Sequence, residues 1–131
     1  MLKFSVHGIP RPQGSKRGFY RNGRVVLVEA SKQLPEWRGA VITAAKDAID
    51  ESGWVTVEGA CLVEVVFFMP KPKSVKRVFP IVAPDLDKLL RGICDALTMA
   101  KVFADDAVVV RVVSEKRYAD VPGCVVTVTE L

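Results

Sequence analysis

Cysteine, histidine and long hydrophobic runs are scarce in this chain of 131 residues, and each scarcity removes a class of function. Cys61, Cys94 and Cys124 are odd in number and widely spaced, with no C-x-x-C pair. That pattern indicates neither a disulfide framework nor a zinc site, and it suits a reducing cytoplasm. His7 is the one histidine. Near the end of a strand it is expected at the surface rather than as a general base. No apolar run approaches the ~20 residues that span a bilayer, and Met1-Leu2-Lys3-Phe4 lacks an apolar signal core. The expectation is a soluble cytoplasmic protein with no membrane partner. Acidic residues are outnumbered, 15 against 19 Lys and Arg, for a net charge of +4. This suits a polyanionic partner without demanding one.

What remains is half hydrophobic, enough for one domain over residues 1–131 with an ordinary core. Leu2, Phe4 and Val6 alternate with Lys3, Ser5 and His7, a half-buried strand. From Pro10 to Gly23, prolines and glycines are expected to break regular structure. Arg11, Lys16, Arg17, Arg21 and Arg24 there surround Phe19 and Tyr20, a composition that grips phosphates and stacks on bases, or forms a solvated loop with two anchoring rings. Val25 to Val28 make a short strand; Ser31 is placed to cap a helix with the stripe Leu34, Trp37, Val41, Ala44, Ala45, Ala48 and Ile49, ended by Gly53. The nearly unbroken apolar run to Met69 predicts a central strand covered on both faces, in which Glu64 is an edge or dimer-contact residue rather than a metal ligand. Pro70 to Arg77, carrying Lys73 and Lys76, is a second basic loop. Val108–Val113 and Gly123–Glu130 read as strands forming a hairpin around Asp120-Val121-Pro122-Gly123. The fold expected is α+β: a mixed or mostly antiparallel sheet with two helices packed on it.

Acidic residues concentrate between Pro84 and Asp106, against the basic trend of the chain. Leu86, Leu89, Leu90, Ile93 and Leu97 recur at three- and four-residue steps, a helix with one buried stripe. Asp85 and Asp87 converge only if Asp85 lies in the non-helical start that Pro84 favours. Two carboxylates about 4 Å apart repel by roughly 4 kcal/mol at an effective dielectric near 20, so a third from Asp105 or Asp106 calls for a cation, Mg²⁺ or Mn²⁺ by oxygen preference. The same residues also fit a plainer arrangement, with Asp85 as helix cap, Asp87 paired to Arg91 and Asp105-Asp106 as a turn.

Asp85-Leu86-Asp87-Lys88-Leu89, then Asp95-Ala96-Leu97-Thr98, then Asp105-Asp106-Ala107 resemble, in order and spacing, the RusA family of Holliday junction resolvases. Pro10-Arg11-Pro12-Gln13-Gly14-Ser15-Lys16, the Trp37-Arg38 helix and the closing strands extend the resemblance over nearly the whole chain. It implies a RusA-like homodimeric, Mg²⁺-dependent endonuclease, with Mn²⁺ as substitute, that nicks four-way DNA in pairs during recombination and repair. By position it implies metal-binding carboxylates at Asp85, Asp87 and Asp106, with Asp105 a neighbour. Arg91 stands where the family carries a helix lysine, so Arg91 joins the carboxylates as the expected catalytic group. Lys88 stands where asparagine occurs. Arg11, Lys16, Arg17, Lys73, Lys76 and Lys88 are the expected DNA contacts. Three other readings compete: a non-catalytic module that binds branched DNA, an aspartyl-phosphate phosphatase, and a structural adaptor. The phosphatase fits worst, because Pro84 precedes the acidic pair and Lys88-Leu89-Leu90 follows it.

Overall fold

A computed structural model describes residues 1–14, 16–29 and 33–131; for 16–21 and 25–29 it describes the backbone alone. Alternation in the sequence becomes a four-stranded mixed sheet in the order β1-β6-β4-β5, made of β1 (Leu2–His7), β4 (Cys61–Pro70), β5 (Val109–Ala119) and β6 (Gly123–Glu130). β2 (Lys16–Arg21) and β3 (Arg24–Glu29) form a separate antiparallel ribbon. Helices α1 (Leu34–Ser52) and α2 (Leu86–Met99) pack on one sheet face around Trp37, Val41, Leu89, Ile93 and Leu97. Fully burying a side chain of this size is worth about 1.5–3 kcal/mol, so the α2 stripe alone anchors the helix that carries the acidic motif.

Several expectations are corrected. The stretch before Gly23 is not wholly irregular: Asn22 (φ 53) and Gly23 (φ 71) form a two-residue turn that closes the β2–β3 hairpin with Arg21 opposite Arg24. The expected Ser31 cap lies outside the described residues, and α1 starts after Gln33, which makes no side-chain cap. β4 is interior to the sheet but covered on one face only. Val63, Val65 and Phe67 are buried under the helices, while Leu62, Val66 and Phe68 are half-buried and Glu64 is exposed on the other side. Finally, β5 and β6 are not hairpin partners. β4 lies between them, parallel to β5 (Phe67 opposite Lys116) and antiparallel to β6 (Val65 opposite Val126). Buried Cys124, Val126 and Val128 suit β6 to an interior place, whereas Arg111, Glu115 and Arg117 suit β5 to the edge. Gly123 permits this path, since a Cβ there would overlap the carbonyl oxygen of Val6 on β1.

The segment after α2 is pinned rather than loose. Val57 N–H donates to the Val102 carbonyl (3.1 Å), Ala104 N–H donates to the Val57 carbonyl (2.9 Å), and Trp54 Nε1 donates to Val102 O (2.9 Å). With Phe103 fully buried beside them, these bonds deliver Asp105 and Asp106 to one place next to α2.

Candidate active site at the start of helix α2

Asp85 has extended backbone (φ −69°, ψ 140°) as the residue before α2, and Asp87 lies in the first turn. Both carboxylates are exposed at the positive end of the helix. Asp85 makes no side-chain cap; its partner is Lys88, three residues on, at 3.8 Å. An exposed pair of this kind is worth less than about 1 kcal/mol, so it yields readily to a divalent cation or a phosphate. Asp105 and Asp106 open a single 3-10 turn (Asp106–Val108), and Asp105 Oδ2 accepts a hydrogen bond from Ala107 N (3.2 Å). Asp106 acts on α2 instead: with burial the leading cause, its charge and that of Asp95 help push the Cys94 thiol up to about 11. The plainer arrangement is thus realised at Asp105 and not at Asp85. No Asp87–Arg91 ion pair forms among the described residues, where the salt bridges are Lys88–Asp85 and Arg117–Glu115.

Three exposed carboxylates with hard oxygen donors fit Mg²⁺ or Mn²⁺ in chemistry. No three acidic, histidine or cysteine side chains converge as a preformed cage among the described residues. A cation there would draw Asp85 from Lys88 as it collected its ligands.

The basic groups reach the site through the loop after β1. Gln13 N–H donates to the Lys88 carbonyl (3.0 Å) and Gln13 Nε2 donates to Asp95 Oδ2, while Arg38 from α1 donates through Nη2 to Gln13 Oε1 (2.6 Å). One amide therefore bolts the loop to both helices. Gly14, at φ +98°, lies under the Arg91 guanidinium, which a Cβ there would strike. Arg91, exposed on α2, therefore lies beside the basic loop. Arg11 is half-buried on the same loop, Lys73 and Lys76 are exposed in the turn after β4, and the side chains of Lys16 and Arg17 lie outside the described residues.

Lys116 was not expected at the site. From β5 its Nζ donates to Val82 O (2.7 Å) and Pro84 O (2.9 Å), fixing the chain immediately before Asp85, where the Ala83–Pro84 peptide is cis. Gln13, Arg38 and Asp95 were likewise unassigned. The Gln13 amide lends itself to a double-mutant cycle. Gln13→Ala and Asp95→Ala are each expected to lower the unfolding free energy by about 1–2 kcal/mol, and together by clearly less than the sum. Strict additivity in urea melts would mean that the bond does not join the two elements.

The model of the family described as Endodeoxyribonuclease RusA matches residues 8–129. A curated relative, "Uncharacterized protein YqaN" of Bacillus subtilis (strain 168), is 28% identical over 142 residues, covering 99% of this chain and 96% of the relative. A match that spans both helices, three of the four strands of the sheet and the acidic start of α2 places the chain in the RusA endodeoxyribonuclease family.

Proposed function

We propose that this chain is a Mg²⁺-dependent endodeoxyribonuclease that resolves four-way DNA junctions by paired nicks, one domain over residues 1–131 acting as a homodimer. The observation that carries the proposal is the acidic start of α2, with Asp106 beside the same helix and basic loops on both flanks, in a chain of this family. Asp85, Asp87 and Asp106 would hold the cation, which when bound supplies Lewis-acid polarisation of the phosphate and an activated water. The chain's own residues do the rest. Arg91 is never deprotonated, so it steadies phosphate oxygens electrostatically and moves no proton. Arg11, Lys73, Lys76 and Lys88 neutralise backbone phosphates and orient the strand. The α2 amino terminus adds a partial positive charge where the phosphate approaches.

A dimer is supported by the face of the sheet that neither helix covers, where Leu62, Val66, Phe68 and Val125 are half-buried and Val113 is 59% exposed. Two identical sites related by a dyad match a two-fold junction. The deciding experiment mixes purified protein with a synthetic four-way junction in Mg²⁺, Mn²⁺, Ca²⁺ or EDTA, with mass measured by light scattering. Paired nicks in Mg²⁺ and Mn²⁺ alone, from a particle of two chains, are expected. Equal cutting in EDTA would refute the metal-dependent reading, and binding without cutting in any metal would favour the non-catalytic module.

A further inference from the structure

A cavity of about 530 Å³ opens beside the acidic site and is not used by any step above. Its walls are largely apolar, formed by prolines of three separate segments together with Met69 and the Tyr118 ring. Its charged wall is cationic: Arg11, Arg77 and Lys116 line it, and among the described residues none that lines it is acidic. Arg77 Nε donates to the Tyr118 hydroxyl (3.0 Å), and Lys71 and Arg77 lie 5.8 and 5.9 Å from the ring centroid. Pro84 belongs to the wall, so the cavity ends one residue from Asp85.

We propose that this cavity receives a single unstacked nucleobase of the DNA, from the nucleotide next to the phosphate that is cut. The inference rests on the junction-nuclease reading and adds a subsite to it. Shape and charge argue for this occupant. An apolar slot with an aromatic wall accepts the flat face of any base, and Arg11 and Arg77 at its edge meet the phosphates that a flipped nucleotide carries on both sides, while Lys116 stays committed to the loop carbonyls. An apolar or acidic peptide would leave that cationic wall unpaired or would lack a flat face for the ring. The space exceeds one base, so the sugar enters with it. Because unstacking costs least where pairing is already interrupted, such a slot favours the branch point over continuous duplex. It would also read sequence, through the side chains of Arg11 and Gln33 that line it.

The test is a cycle between protein and DNA in metal-free buffer. Junctions carry an abasic residue at one position at a time around the crossover, and each is titrated with the parent, Tyr118→Ala and Tyr118→Phe. On the complete junction, Tyr118→Ala is expected to bind about tenfold more weakly than the parent, with Tyr118→Phe close to the parent. At one abasic position next to the nick, the difference between parent and Tyr118→Ala should vanish; at the others it should persist. Tyr118→Phe, which keeps the ring, guards against a folding defect in the alanine variant. If Tyr118→Ala loses the same factor on every junction, or no factor at all, the subsite is wrong while the nuclease reading stands. If the parent prefers no junction over duplex and cuts none in Mg²⁺, both fail together.

Discussion

Asp106→Asn, Asp85→Asn and Asp87→Asn are each expected to nick a four-way junction about a hundredfold more slowly than the parent, or worse, with metal-free junction binding unchanged or tighter. The substitution keeps the shape of the side chain and removes a negative charge from a surface that must approach phosphates, so affinity does not suffer. A lost metal ligand, by contrast, acts on the barrier, where each factor of ten corresponds to about 1.4 kcal/mol. Asp105→Asn is the internal control. Its structural duty is to accept from Ala107 N, and an asparagine carbonyl accepts equally well, so the turn survives and cutting stays near the parent's rate. A second readout does not depend on cutting at all. Cys94 is raised by burial and then by Asp106 and Asp95, so Asp106→Asn should lower its thiol pKa while Asp105→Asn leaves it alone. Normal nicking by Asp106→Asn beside a dead Asp105→Asn would reverse the assignment. Four variants that all cut like the parent would end the nuclease reading.

The start of α2 is legible in the sequence because its signals are local. A proline, an extended aspartate and a 3.6-residue apolar stripe specify the start of α2 whatever packs around it, and buried Leu89, Ile93 and Leu97 are that stripe. The β2–β3 turn was equally local: Asn22-Gly23 favours positive φ at two successive positions, and the glycines around it were read only as breakers. Strand order is a different kind of information. Arg111, Glu115 and Arg117 suit β5 to an edge, but nothing in β5 or β6 names β4 as the strand between them, because a parallel neighbour is chosen by burial across the whole sheet. The Gln13–Asp95 bond joins residues 82 apart and leaves no mark on either segment. The sequence predicts that this strand ends at Val113, because Ser114, Lys116 and Tyr118 interrupt the apolar pattern, whereas β5 runs to Ala119. They lie opposite Val65, Phe67 and Met69, in register with the core face, and Lys116 and Tyr118 bond to the loop before α2 and line the cavity. Polarity at Lys116 and Tyr118 therefore marks where the sheet meets the loop that leads into α2.

Lys116→Met is expected to reduce cutting by about 10–100-fold, although Lys116 is expected to touch neither metal nor the phosphate that is cut. The half-buried ammonium spends two of its three donors on Val82 O and Pro84 O, and Pro84 is the residue whose carbonyl precedes the Asp85 amide. Removing those bonds frees the backbone that aims the first carboxylate, and loss of a partner that orients a metal ligand costs about 10–100-fold in metal affinity or activity. Methionine fills most of the lysine stem's volume, so the packing near Phe67 is retained and the defect is one of aim. This makes Lys116 a positioning residue, and the Mg²⁺ dependence distinguishes that role from simple destabilisation. Half-saturating Mg²⁺ should rise about tenfold in Lys116→Met, with part of the rate recovered at high Mg²⁺. Lys116→Arg, which retains a donor within reach of the same carbonyls, should fall between. A merely unstable variant would instead lose active protein at every Mg²⁺ concentration with the midpoint unmoved, and that result would remove Lys116 from the site.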